Sequence, residues 1–580
     1  MSCLLRRSLL VPQDAPASAP APDPRSLYDV QLYRLDLEVR PDKELLLGRV
    51  GVEAKALAEL STLELDVGKE LDVAKVRRVA GALADGLDGD ELRFERDGTR
   101  LRIALGEPAA AGATVRVSVE YSGSPQARGG FSGFHWKKTP SGEPWINTSC
   151  QGPGAHSWWP CKASFFHPED KPDEGTITNL LVPKGLVGVS NGRLLGHDEV
   201  DGGAKVRWRW RHPYPLETYS VTLNVGPYVH EEHPLDEKAL GLASYQFWVL
   251  PEDLEKARLQ FQDVPGMIAA YTKAFGPFPF PRSKFALVQT NFWGMEHSTA
   301  VAYGSSFPAW CKKTGARDPY AGRNRWFDYI LVHECAHEWW GNGVSASDWG
   351  DFWIHEGFAT YAEGVYVEST RDRESADRWF ASIERFVGPG SRVYRGKGKD
   401  SASAYAPDIY YKGAWVLHTL RSFIDDDDKW WALLKEFNLE YRYRNAGTED
   451  FRKLVEERTD RDWKTFFQEF VYGTGLPITT GTATLGGGKL RVEVESGGRG
   501  AAGFHLPLDL SWTDGKTPHL ERVWLEPGKN VFEVETGADA KGLELRTIKR
   551  ILGQHHIEVE GEPVGRPGSA VPARRRALPR

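Results

Sequence analysis

Cysteine is scarce: Cys3, Cys150, Cys161, Cys311 and Cys335 are the only ones in 580 residues. They are too few and too scattered for a disulfide framework, and their odd number leaves at least one thiol. Only Cys150 with Cys161 invites a bridge. No run approaches the roughly 18 uninterrupted apolar residues of a membrane span. Positive charge is not in excess, since 73 Lys and Arg stand against 80 Asp and Glu for a net charge of −7. Without a long basic stripe, the electrostatic footprint of a nucleic-acid binder is missing. An export signal is also lacking as the chain is written. Arg6 and Arg7 are followed only by Ser8, Leu9, Leu10 and Val11 before Pro12, well short of the about 7 to 15 apolar residues of a signal core. A soluble cytoplasmic protein is expected. The Ala/Pro-rich stretch from Pro12 to Pro24 resembles linkers behind cleaved signals, so export from a different start codon is the alternative.

Sixty Gly and thirty-six Pro suit many turns and short strands, which weighs against helix throughout. From Tyr28 to about Val229 the dominant period is two. Tyr33, Leu35, Leu37 and Val39 alternate with Arg34, Asp36 and Glu38; Val115, Val117, Val119 and Tyr121 form a second run, and Val206, Trp208 and Trp210 a third. Asp97-Gly98 between alternating segments is a hairpin turn signal. Around Pro251 the pattern becomes helical, with helices predicted over 253–271, 326–340, 352–370, 373–387, 410–424, 429–443, 448–458 and 463–472. Past Gly475 the period of two returns in Leu490, Val492 and Val494, then Val531 and Val534, with Gly486-Gly487-Gly488 as a turn. The predicted organisation is multidomain α+β. A disordered segment over 1–26 precedes an antiparallel β-sandwich-like domain over 27–235. A mainly helical domain over 236–476 and a small β domain over 477–553 follow, and 554–580, with Arg574-Arg575-Arg576, form a disordered tail.

Within the helical region lies His333-Glu334-Cys335-Ala336-His337. Residues four apart project from one helix face, so both imidazoles can meet one metal ion, with Glu334 turned toward the same cavity. On the next predicted helix, Glu356 follows His337 after 18 intervening residues. A catalytic zinc site takes three protein ligands and keeps one position open; His333, His337 and Glu356 supply that set. Two ligands on one helix and a third on the next, joined by Gly341-Asn342-Gly343 and Asp348-Trp349-Gly350, are mutually consistent. Cys335, beside the ligand positions, reads as packing, as do Trp339 and Trp340. Glu338 and Glu363 read equally as partners that orient the imidazoles or as solvent-facing charges.

These residues resemble the M1 metallopeptidases, the gluzincin aminopeptidases that include leukotriene A4 hydrolase. His333 to Asn342 and Trp353 to Tyr361 look like the family's two zinc segments. Gly294-Met295-Glu296-His297 is similar to its exopeptidase motif Gly-Ala-Met-Glu-Asn, and Tyr410-Tyr411-Lys412-Gly413-Ala414 to its Tyr-x-Lys-Gly segment. The resemblance spans about Leu27 to Gly475 and is weaker in the β domain. There Thr148-Ser149-Cys150-Gln151 and Trp158-Trp159-Pro160-Cys161 resemble the stretch before the substrate cleft, and Val189-Ser190-Asn191-Gly192 a later turn. The resemblance implies a thermolysin-like catalytic domain with one zinc ion per chain, acting on peptides with a free N-terminus. Glu334 is then the general base and Tyr410 the oxyanion donor, with Tyr411 as its rival. Glu296 faces the substrate α-ammonium beside Gly294 and Met295, and Gln151 assists.

Three positions depart from the pattern. Trp293-Gly294 replaces Gly-Ala, His297 replaces the final Asn of the exopeptidase motif, and His355 stands where most relatives have Asn before the zinc-binding Glu. A protonated His297 beside the site is expected to repel the ammonium, so that activity falls as pH drops through its titration. The stretch after Gly475 is also too short for the large helical domain of many relatives, which implies a more open cleft. Epoxide hydrolysis or endopeptidase action on the same fold, and a non-catalytic binding scaffold, are the alternative readings.

Overall fold

The computed structural model describes residues 23–560 apart from 128–132, 152–153, 163–169, 317–325, 391, 400 and 500–502. The alternating N-terminal sequence folds as an eight-stranded sheet, a four-stranded sheet and a three-stranded sheet between Tyr28 and Gly226. Their inward-facing positions, among them Tyr33, Leu35, Leu37, Val117 and Val119, share one core with Trp158 and Trp159. The domain is not purely antiparallel. Tyr28–Arg40 pairs in parallel with Thr176–Pro183, with Tyr33 opposite Thr176. A period of two is the same in both kinds of pair, so alternation reports which side chains are buried but not the direction of the partner. No disulfide joins Cys150 and Cys161; both are buried thiols, and Cys150 Sγ lies 3.3 Å from the Tyr219 carbonyl oxygen.

Two predicted boundaries move. Val229–Pro234, counted with the first domain, pairs with Ser244–Val249 as the edge of the next sheet, whose order continues through Phe285–Gln289 and Val301–Tyr303 to Gly294–Met295. At the other end, the segment taken as tail opens with a strand, Gln554–Glu560, which runs parallel to Leu476–Gly486. Its ladder partner lies about 76 residues earlier in the chain, beyond any local signal, although Ile557 and Val559 carry a weak alternation. The first segment, 1–26, falls mostly outside the described residues. Its described end is ordered: Pro24–Leu27 forms a turn, and buried Arg25 pairs with Asp66 at 2.8 Å. The C-terminal residues form a four-stranded and a three-stranded sheet, closed over Leu490, Val492, Val494, Leu506, Leu508 and Leu510.

The helical region carries the site on three helices: α1 (Tyr329–Ala336), α2 (Trp353–Thr370) and α3 (Pro407–Ile424). The first is shorter than predicted. Asp328 caps its N-terminus by accepting the Leu331 N–H at 3.3 Å, and Gly341 at φ +127° turns the chain away after His337. The helix predicted over 253–271 is likewise split into Leu254–Gln260 and Val264–Phe275, the second opening with Pro265, which has no N–H to continue the first. Helices α2 and α3 cross at two glycines. A Cβ on Gly357 would lie 3.1 Å from Gly413 Cα and 2.9 Å from the Ile409 carbonyl oxygen. That approach places Tyr410, one turn before Gly413, against the residues of α1 and α2. Trp339 and Trp340 are fully buried as read. Among the described residues, no helix is long and apolar enough to cross a membrane.

Candidate metal centre and substrate cleft

A cavity of about 430 Å³ lies where α1, α2, α3 and the edge strand Gly294–Met295 meet. Its floor is the residue set singled out by spacing. His333 Nε2 stands 3.3 Å from Glu356 Oε2 and 3.3 Å from His337 Nε2, and His337 Nε2 is 3.5 Å from Glu356 Oε2. Three ligands about 2.0 to 2.2 Å from a tetrahedral zinc are about 3.4 Å from one another, so this triangle has the dimensions the ion requires. The outer ring nitrogens are already engaged. His333 Nδ1 is 2.9 Å from Glu363 Oε1, and His337 Nδ1 is 2.8 Å from the Trp340 carbonyl oxygen. With their Nδ1 protons donated outward, both Nε2 lone pairs face the common point, the usual support of ligating histidines.

Of the two carboxylates weighed as imidazole partners, only Glu363 is one. Glu338 is buried but accepts the Thr299 N–H at 2.5 Å. Burial drives its carboxyl up to about 8. Cys335 is fully buried, which pushes its thiol well up, in keeping with packing.

Burial works to raise the Glu356 carboxyl, yet hydrogen bonds and charge from His333 and His337 hold it well below the usual range. Glu334 is different: burial pushes it up to about 7, against the pull of the two imidazoles. It lines the same cavity and does not belong to the triangle. A second trio, Glu296, Glu334 and His337, also brings ligand atoms within 4.8 Å of one another, but it shares His337 with the first and sets one imidazole against two carboxylates. Gly294 gives Glu334 its room, because a Cβ there would lie 2.9 Å from Glu334 Oε1 and 2.9 Å from Ile330 Cγ2.

The Tyr410 ring stacks on His333 with centroids 6.0 Å apart. Burial raises its phenol well above the ordinary value, and Glu356 adds to the effect. Tyr411 also lines the cavity but stacks on Phe386 at 4.7 Å. Met295 and Gln151 also line the cavity. Glu296, 3% exposed, accepts from Gln151 Nε2 and from the Tyr219 hydroxyl at 3.1 Å. Gln151 in turn accepts from the Tyr405 hydroxyl.

Tyr219 and Tyr405 were missed by motif reading. Tyr219 sits in the isolated turn Thr218–Ser220, and Tyr405 in the approach to α3 is marked only by the nearby Pro407.

The expected role of His297 needs correction. Its ring is fully buried, and among the described residues neither nitrogen has a hydrogen-bond partner. Burial, with help from His135, lowers it to about 3. Burial therefore favours the neutral ring near pH 7, which carries no charge to repel an ammonium. Position in a motif did not reveal this, because desolvation is a tertiary property. His355 accepts the Ala346 N–H at Nε2, 2.9 Å away, and its Nδ1 lies 3.4 Å from the Tyr219 hydroxyl.

Comparison with known proteins finds one family over most of the chain. The M1 N-terminal domain model matches residues 29–220 and the M1 family peptidase domain model residues 260–470. Leucine aminopeptidase 2 of Phaeosphaeria nodorum is 24% identical over 462 residues, covering 75% of this chain and 68% of that protein. Leukotriene A-4 hydrolase of Xenopus laevis is 22% identical over 78% of this chain and 72% of its own length. For aminopeptidase B of Mus musculus the figures are 24%, 71% and 63%. Among solved structures, an M1 zinc metallopeptidase from Deinococcus radiodurans has the same fold, with a TM-score of 0.62 at 22% identity over 77% of this chain and 94% of that one.

Proposed function

We propose that this chain, which belongs to the M1 family of zinc peptidases, removes N-terminal residues from peptides with Glu334 as general base, Tyr410 as oxyanion donor and Glu296 as amine anchor. One observation carries the reading: the His333, His337 and Glu356 triangle, Glu334, Tyr410 and Glu296 all face a single cavity. In this reading His333 Nε2, His337 Nε2 and a Glu356 oxygen hold the zinc. When bound, the ion lowers the pKa of a water toward about 7 and polarises the scissile carbonyl. Glu334 takes the proton of the attacking water and delivers it to the leaving amine. The Tyr410 hydroxyl donates to the carbonyl oxygen as charge gathers there, which favours the transition state over the bound substrate.

The free amino terminus, with a pKa of about 7.7 to 8.0, is largely charged at neutral pH and is costly to bury without a partner. Glu296 supplies that partner. The substrate then enters the cleft only as far as its first peptide bond reaches the metal residues. A purely binding scaffold has no physical need for this set, and the family is one of hydrolases. Epoxide hydrolysis finds no specific support in the geometry.

The test is a matched pair of aminoacyl amides, one free and one N-acetylated, assayed with wild type and Glu296→Ala. Wild type should strongly prefer the free amine. Glu296→Ala should lose most of the kcat/KM on the free substrate, on the order of 10- to 100-fold for a charge-assisted contact, and so narrow the gap. Equal wild-type rates on the two substrates would make the protein an endopeptidase or a hydrolase of another substrate, whatever the metal site does.

A further inference from the structure

Two hydrogen-bond chains end on Glu296 Oε1. The first comes from Tyr405 through Gln151. The second starts at the backbone of Ala346 and passes through His355 and Tyr219. Its direction follows from chemistry. A backbone N–H can only donate, so His355 Nε2, 2.9 Å from the Ala346 nitrogen, carries a lone pair and the ring proton is on Nδ1. That N–H points at the Tyr219 oxygen, 3.4 Å away, and the phenol has a single proton to give. It goes to Glu296, 3.1 Å away.

The chain is shielded along its length, since Tyr219 is 1% exposed and His355 fully buried. The Phe352 ring, 4.3 Å from the His355 ring by centroid, fixes the imidazole plane. Glu296 is thus bound on one oxygen by a donor whose own orientation is dictated from the protein interior. A carboxylate loosely held in a cleft can turn either oxygen, or neither, to a ligand; this one cannot rotate without breaking both chains.

We infer that Tyr219 and His355 are positioning residues for amine recognition, which saturate Glu296 Oε1 and leave Oε2 directed at the substrate α-ammonium. The inference rests on Glu296 being the amine anchor. It gives His355, one of the positions that depart from the family pattern, a defined task. The side-chain amide of an asparagine places an N–H near the position of the imidazole Nδ1, so the donor toward Tyr219 survives that exchange, whereas phenylalanine removes it.

The experiment measures binding rather than turnover. In zinc-loaded protein carrying Glu334→Gln, calorimetry at pH 7 gives Kd for Leu-Gly-Gly and for its N-acetyl copy. The parent should bind the free peptide more tightly. Adding Tyr219→Phe should weaken the free peptide about 10-fold, the scale of one hydrogen bond to a charged group, with the acetylated copy unchanged. His355→Phe should do the same and His355→Asn should recover most of the loss, with about one zinc per chain in every variant. Weakening of both peptides alike, or an unchanged ratio in Tyr219→Phe, would overturn the inference while leaving Glu296 as anchor. A parent that binds both peptides equally would overturn the anchor itself, and this inference with it.

Discussion

Glu334→Gln should keep about one zinc per chain and lose roughly 10²- to 10⁴-fold in kcat, the usual contribution of a positioned general base. The expectation comes from two separate observations. Glu334 is not one of the three atoms in the 3.3 to 3.5 Å triangle, so neutralising it leaves the ligand set whole. Its carboxyl lines the same cavity as the triangle, within reach of a water there, and Gln keeps its shape but accepts no proton. Because the loss is in proton transfer rather than in contact with substrate, KM should change little. The competing trio of Glu296, Glu334 and His337 predicts something else, namely that Glu334→Gln sheds the metal. Steady-state kinetics together with the metal content of the same preparation separate the two. A variant that hydrolyses amides as fast as wild type would remove Glu334 from the mechanism.

Tyr410→Phe should lower kcat by about 10² to 10³, the cost of one oxyanion donor, while substrate affinity stays close to wild type. The hydroxyl is useful only once charge has moved onto the carbonyl oxygen, so its removal is felt in the transition state and not in the ground state. The neighbouring residue is the control. Tyr411 packs against Phe386, whereas Tyr410 is stacked on His333, so Tyr411→Phe should have little effect on kcat. The opposite result, a large loss in Tyr411→Phe and none in Tyr410→Phe, would place the donor one residue later on α3.

The metal residues were legible because their chemistry is written in a local period. Residues four apart on a helix share a face, and the third ligand lies at the start of the next helix, so His333, His337 and Glu356 converge with little help from the rest of the fold. Glu296 and Tyr410 came from short motifs and lie on the same cavity. Other features depend on contacts distant in sequence. For the parallel pairing of Tyr28–Arg40 with Thr176–Pro183 and the docking of Gln554–Glu560 beside Leu476–Gly486, alternation names neither the partner nor its direction, being the same for either strand direction. Tyr405 reaches the cleft, and Tyr219 reaches Glu296 behind it, only through tertiary structure. His297 was read from its place in a motif as a titrating group, and burial makes it the reverse.

Zinc dependence is the central claim, and its most direct measurement is metal content against activity in one preparation. Protein as purified should hold about one equivalent of zinc and hydrolyse free aminoacyl amides. Dialysis against a chelator should remove the ion and the activity together, and one equivalent of added zinc should restore both, since three protein ligands and an open position are what a catalytic zinc needs. Full hydrolysis by protein shown to be metal-free would contradict the account, because Glu334, Tyr410 and Glu296 would then be arranged around nothing that takes part in the reaction.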